Sequence, residues 1–241
     1  MTPEDSVVHA AAGVAPVALR EARIGKVRAL GSGGARSGID KQPIASVFVA
    51  VDGLRGDEQG DTRHHGGPEK ALHHYAAEHY PHWREWLPTQ AARFVPGGFG
   101  ENLSTLGMSE ETVCLGDVYR LGTATLQVSQ GRQPCWKLEL RFGVPGMARR
   151  VQESGLTGWY YRVLESGMVT VGDCFELQRR PHPEWPLARL HHVLYRDCLN
   201  REALAALAGL DALSGGWREL VARRLEQGVV EDWSRRLVLP S

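Results

Sequence analysis

Short runs of alternating or β-branched apolar residues fill the first three quarters of the chain. Most of Ile24 to Leu30, Ala45 to Val51, Thr112 to Leu121, Thr123 to Ser129 and Val169 to Leu177 are bounded by Gly, Asp or Pro. That pattern predicts strands. Tyr119 to Leu126 reads as two strands joined by a tight turn at Gly122. Many short strands with glycine-rich turns favour a sandwich or a barrel. Helical spacing interrupts the strands. Pro68 follows Gly66-Gly67 and suits a first helical position. Leu72, Tyr75 and His79 then share one face, Pro81 breaks or kinks the run, and His82 to Leu87 resumes it. Val144 to Ser154 predicts a second helix, with Gly155 close to its end.

The pattern changes after Pro181-His182-Pro183-Glu184-Trp185-Pro186, a proline-rich linker. Leu187, Leu190 and Leu194 fall on one helical face. Asn200 is placed to cap a helix carrying Leu204, Leu207 and Leu210, and Ser214 another carrying Trp217, Leu220, Val221 and Leu225. The expected organisation is a loose N-terminal extension over 1–20, a mainly β domain over 21–180 and a three-helix unit over 187–241, α+β overall.

Composition narrows the function classes. With 241 residues, the chain has room for one sizeable domain and an appendage, or two small domains. Lys and Arg total 28 against 28 Asp and Glu, so no global charge argues for nucleic acid or a membrane surface. No apolar run approaches the ~20 residues that span a bilayer. Val7 to Leu19 is Ala/Val-rich, but Glu4 and Asp5 precede it and Pro16 interrupts it, unlike a secretory signal. A cytoplasmic protein is expected. The cysteines, Cys114, Cys135, Cys174 and Cys198, form no CxxC and are widely spaced. A cysteine zinc site, an iron–sulfur cluster and a disulfide framework are therefore disfavoured. Cys114 and Cys174 sit in strand-like contexts and read as small buried hydrophobes.

Three polar, glycine-bearing segments carry the candidate chemistry and suggest loops converging on one pocket. In Asp61-Thr62-Arg63-His64-His65-Gly66-Gly67-Pro68-Glu69-Lys70, a helix N-terminus beside Arg63, His65 and Lys70 would offer donors to a phosphate. The alternative is a solvated polar turn. Six of the ten histidines lie between residues 64 and 82, which invites a zinc reading. Against it, His74 and His79 are five apart and splay across a helix, and no HExxH is present. The helical histidines read as packing or surface groups. Asn102, in Gly100-Glu101-Asn102-Leu103, could meet a heterocycle edge or simply stabilise a turn. Cys135, in Ser129-Gln130-Gly131-Arg132-Gln133-Pro134-Cys135-Trp136-Lys137, is a lone thiol whose default reading is burial without function. Its cationic neighbours Arg132 and Lys137 point instead toward a thiolate able to hold a soft metal.

Taken in order, Gly53 to Asp57, His65 to Tyr75, Phe99 to Leu103, Gly116-Asp117 and Gln127 to Leu138 resemble the MOSC family, domains related to the C-terminal part of molybdenum-cofactor sulfurases. Within it, the chain is most similar to the bacterial YiiM-like branch. The likeness extends to Gly158-Trp159-Tyr160 and Glu231 to Leu237 and covers residues 20 to 241. The resemblance implies a MOSC β-barrel with inserted helices, followed by a small C-terminal three-helix unit. It implies a molybdopterin cofactor whose molybdenum is held by Cys135. The cationic and glycine-backbone groups Arg55, Arg63, His65, Gly66, Gly67, Lys70, Arg132 and Lys137 are then candidates for the cofactor phosphate, and Asn102, Ser129 and Gln130 for the pterin. The implied activity is reduction of N-hydroxylated compounds: hydroxylaminopurines, amidoximes and hydroxamic acids. His65 is a candidate proton donor. The chain has no C-x₄-C-x₂-C cluster, so electrons are expected from a separate flavin or iron–sulfur reductase. The C-terminal helices are left to cover the pocket, bind that partner or form a homodimer. Three other readings stay open: a sulfur carrier using a Cys135 persulfide, a non-enzymatic cofactor-delivery protein, and a histidine-rich zinc hydrolase.

Overall fold

The computed structural model describes residues 13–31, 33–60 and 66–240. Thirteen strands occur among them: β1 (Val17–Gly25), β2 (Arg28–Leu30), β3 (Ala35–Ser37), β4 (Lys41–Ile44), β5 (Ser46–Ala50), β6 (Gly53–Leu54), β7 (Leu72–Ala76), β8 (Leu103–Thr105), β9 (Val118–Leu121), β10 (Ala124–Gly131), β11 (Trp159–Glu165), β12 (Gly167–Thr170) and β13 (Cys174–Arg179). Seven of them run in the order β13-β9-β10-β11-β7-β8-β1, and β1 pairs back onto β13 to close a barrel. Every neighbouring pair is antiparallel except β7 and β8, which are parallel. Closure leaves the seven-stranded sheet without two free edges. Strand β4 extends β1 beyond the barrel, while β12-β5-β6 and β2-β3 form smaller sheets.

Seven α-helices accompany the strands among the described residues: α1 (His79–Trp86), α2 (Lys137–Phe142), α3 (Met147–Ser154), α4 (Leu187–Tyr195), α5 (Arg201–Ala208), α6 (Gly215–Gln227) and α7 (Ser234–Leu237). Helices α1 to α3 enclose an aromatic cluster in which Tyr75, Trp83, Phe94, Phe99 and Phe142 are fully buried. Helices α4 to α6 form the expected C-terminal unit. Their apolar faces join the barrel interior in one continuous core that includes Leu126, Val128, Leu190, Leu207 and Trp217. Asn200 caps α5, its Oδ1 accepting from the Ala203 N–H at 3.0 Å. Ser214 occupies the corresponding place before α6 but makes no side-chain cap; its Oγ is buried without a partner among the described residues.

Several sequence expectations need correction. Leu72 and Tyr75 lie on strand β7, not on a helix with His79. All five β7 residues are buried, so both faces are covered and no two-residue alternation marks the strand. Pro81 does not interrupt α1. It sits in the first turn, where no intrahelical N–H bond is lost. The helix expected at Pro68 is a three-residue 3-10 turn, Pro68–Lys70. The run from Thr112 yields a strand only from Val118, because Asp117 folds the preceding segment into a turn by accepting from the Cys114 N–H and the Tyr119 hydroxyl. Val17 to Arg20 belong to β1 and not to a loose extension. Cys174 is half-buried on β13, whereas Cys114 is buried as expected.

Candidate functional site

Strand β10 delivers the chain to the candidate site. It ends at Gly131, and a four-residue segment then carries Arg132, Gln133, Pro134 and Cys135 to the start of α2. The Cys135 carbonyl accepts from the Leu138 N–H at 3.0 Å, so the cysteine is tied into the first turn of that helix. Its thiol is free and half-buried. Cys135 lines an open cleft together with Lys41, Lys70, His73, Arg132 and Lys137.

Two cleft residues carry buried nitrogens that find no partner among the described residues, Arg132 Nη1 and His73 Nε2. Arg132 is only 7% exposed. A guanidinium N–H taken from water without an acceptor is costly, so such a group usually has a partner or awaits one. Burial pushes the His73 ring well below the ordinary imidazole value, and the nearby positive charge of Arg132 adds to this. His73 is therefore neutral at physiological pH. It reaches the cleft because β7 places its ring beside Tyr160 on β11, with centroids 5.1 Å apart.

Lys41 and Asn102, also in the cleft lining, belong to a buried polar network. Lys41 Nζ contacts both carboxylate oxygens of Asp57 at 2.5 Å. Asp57 also accepts from the Gly25 N–H at 2.7 Å and from Asn102 Nδ2 at 2.8 Å. Burial lowers the Lys41 ammonium below its ordinary value, against the pull of Asp57. Next to this network, Glu101 is fully buried and accepts from the Gly97 N–H and the Tyr80 hydroxyl. Burial raises its carboxyl above the usual range.

Comparison with known proteins identifies the family. Residues 61–176 match the model for the MOSC domain, and residues 185–228 that for the YiiM-like, 3-alpha helix domain. Protein YiiM of Escherichia coli is 38% identical over 216 residues, 88% of this chain and 95% of YiiM. The chain belongs to the MOSC family, in its YiiM-like branch. YflK of Bacillus subtilis is 44% identical over 183 residues, 76% of this chain and 81% of YflK. A Gibberella moniliformis protein named "Reductase" is 39% identical over 197 residues, 80% of this chain but 35% of that longer protein. The crystal structure of Escherichia coli YiiM superposes with a TM-score of 0.80 at 31% identity, covering 93% of this chain and 99% of YiiM. The MOSC family is associated with molybdenum-cofactor binding.

Within this MOSC fold the residues singled out in the sequence separate into groups. Cys135, Arg132, Lys137, Lys70 and Asn102 come together at the cleft. Lys137 Nζ also donates to the Arg36 carbonyl at 3.0 Å. Asn102 is committed to the protein: Oδ1 accepts from the His73 N–H, and Nδ2 donates to the Arg23 carbonyl and to Asp57. Its side chain holds the cleft wall together. Ser129 and Gln130 are buried in β10 away from the cleft lining. Ser129 Oγ bonds the Glu69 carbonyl at 2.6 Å and so fixes the 3-10 turn to the barrel, while Gln130 Nε2 donates to the Gly131 carbonyl. Arg55 is exposed and stacked over Phe48 at 4.6 Å, outside the cleft lining. Gly66 and Gly67 lead into the 3-10 turn, and Gly67 has φ 93°, a conformation that suits glycine. A three-residue turn supplies no long helix dipole, so the anion site expected there cannot rest on one. Arg63 and His65 lie outside the described residues.

Lys41 and His73 were missed in the sequence. Lys41 reaches Asp57 across 16 residues, a pairing no local pattern reveals, although Asp57 ends the Gly53 to Asp57 motif. Helical spacing puts His73 among the packing histidines, whereas it lies on β7, a strand that burial on both faces leaves without alternation. His74 does pack: it is fully buried, stacks on Trp159 and bonds Thr105 and Tyr161. Among the described residues, no group of three His, Cys, Asp or Glu side chains could hold a metal ion.

Proposed function

We propose that this chain is a molybdenum-cofactor-dependent reductase of N-hydroxylated compounds, acting on hydroxylaminopurines, amidoximes or hydroxamic acids. One observation carries the reading: a free, half-buried Cys135 thiol shares a cleft with a buried Arg132 guanidinium whose Nη1 has no acceptor among the described residues. Thiolate is a suitable ligand for a soft metal–dithiolene centre, and a guanidinium with a donor to spare is a suitable partner for a phosphate. The residues therefore fit the group. Cys135 would hold the metal, and Arg132, with Lys70 and Lys137 along the same cleft, would hold the phosphate end. When bound, the cofactor supplies the two-electron redox chemistry that side chains lack. The protein supplies ligation, orientation and proton handling. His73, neutral and facing the cleft, can hold or pass a proton at Nε2. His65 retains the candidate role of proton donor from the sequence. The reductase named among the relatives supports a reductive activity, and a separate flavin or iron–sulfur protein would deliver the electrons.

The test is expression in cofactor-proficient and cofactor-deficient cells, followed by metal and pterin analysis and an assay of hydroxylaminopurine reduction with an artificial electron donor. Activity and molybdenum are expected only from proficient cells, and Cys135→Ser should lose both while melting like the parent. Full activity of Cys135→Ser would sink the proposal. Cyanide-labile sulfur on Cys135 without molybdenum would identify a sulfur carrier. Bound cofactor without turnover would identify a delivery protein.

A further inference from the structure

The Glu231 to Leu237 segment, far along the chain from Cys135, grips the cysteine from both sides. Arg236 Nη1 donates to the Pro134 carbonyl at 2.6 Å, and the Arg236 carbonyl accepts from the Trp136 N–H at 2.8 Å. Those two groups belong to the two peptide planes that flank Cys135. Each plane is rigid, so fixing both restricts φ and ψ of the residue between them and hence the direction of its Cα–Cβ bond, from which Sγ can swing only among the staggered rotamers that backbone allows. One residue, 101 positions from the thiol, thus fixes the base from which the thiol projects.

Arg236 is itself immobilised. Nη2 donates to Gln152 Oε1 at 2.5 Å, tying the guanidinium to α3. Its plane lies 5.7 Å from the Tyr195 ring, which Trp233 meets edge-on at 5.6 Å. The segment before it is anchored by Arg224, nearly wholly buried, which makes two bonds to Glu231 at 2.8 and 2.9 Å and a third to the Leu194 carbonyl. Leu237, next to Arg236, is buried. A long side chain fixed at both its head and its backbone has already lost its conformational freedom, so it can impose geometry on a loop.

We propose that Arg236 is a positioning residue for Cys135, through which the C-terminal helical unit sets the geometry of the cleft thiol. The proposal deepens the reductase reading by assigning the C-terminal unit a part in the site, but the thiol geometry is measurable without cofactor. The experiment follows alkylation of Cys135 by iodoacetamide in protein from cofactor-deficient cells, read on the Cys135 peptide by mass spectrometry. Arg236→Ala is compared with Asn200→Ala, which uncaps α5 in the same helical unit and is remote from the loop in its hydrogen bonding. Arg236→Ala is expected to speed alkylation about tenfold, the scale of one lost charged hydrogen bond, and Asn200→Ala to leave it unchanged at a comparable loss of melting temperature. Should Arg236→Ala fail to fold, Gln152→Leu, which frees the guanidinium from its other tether, must speed alkylation in its place. An unchanged rate, or an equal change in Asn200→Ala, would overturn the proposal. A shifted rate in a protein that never takes up molybdenum would leave the positioning role standing and the reductase reading fallen; molybdenum uptake without a shifted rate would do the reverse.

Discussion

Arg132 makes the separation between stability and binding measurable at one side chain. Its buried Nη1 has no partner among the described residues, so Arg132→Met removes a donor left unpaired there while keeping most of the side-chain length. The cofactor-free variant is expected to melt no lower than the parent, and protein from proficient cells to carry less molybdenum and pterin. Unaltered occupancy would remove Arg132 from the site. Lys41 should behave in the opposite way. Lys41→Met strands the buried Asp57 carboxylate with the Gly25 N–H and Asn102 amide as its remaining bonds. A loss of about 3–5 kcal/mol is expected in urea unfolding, as for breaking a buried pair from one side. Residue types and local order made Cys135, Arg132 and Lys137 legible in the sequence. Nothing local showed that Asn102 spends its whole amide on the protein, because its partners Arg23, Asp57 and His73 come from three distant segments.

At the scale of elements, the turn between β9 and β10 is the sharpest constraint. Gly122 has φ 57°, and a Cβ there would meet the Met168 carbonyl oxygen at 2.3 Å and Asp173 Oδ2 at 2.5 Å. Gly122→Ala is expected to cost about 1–3 kcal/mol or more from backbone strain alone, seen as a lower melting temperature. Loss of the α5 cap in Asn200→Ala should cost about 1 kcal/mol, measured in the same way. Both features were readable from sequence because a hairpin glycine and a helix cap act over two or three residues. Strand β7 was not. Buried on both faces, it shows spacing that fits a helix equally well, and only its pairing with β8 and β11 decides the matter. The short helix α2 also went unread. It follows the cysteine loop directly and is buried through Leu138 and Phe142 into the aromatic cluster.

For the molecule as a whole, the barrel and C-terminal helices stand or fall together. The Ser214 N–H bonds the Ser129 carbonyl at 3.1 Å, Arg162 Nη2 bonds the Ala212 carbonyl at 2.9 Å, and Trp217 packs into the shared core. A chain ended at Arg180 would expose that face of the barrel and is expected in the insoluble fraction, checked by partitioning after lysis. Acid should weaken the whole fold. Burial lowers His74 to about 3 and His191 to about 4, below the unfolded imidazole value of 6.5. Across that interval the unfolded chain binds more protons, so stability falls as pH drops from about 6.5. The urea midpoint at pH 5 is expected to lie below that at pH 7; equal midpoints would show that these rings are not kept neutral in the fold.

The sequence by itself determined the strand-rich domain, the proline linker, the capped helices and the thiol between cations, since each depends on neighbours a few residues away. Tertiary structure alone decided that β1 returns to β13, that Lys41 meets Asp57, and that Arg236 reaches the peptides around Cys135. Those contacts join segments tens of residues apart. Their formation depends on chain closure and shared burial, which no short window of residues encodes.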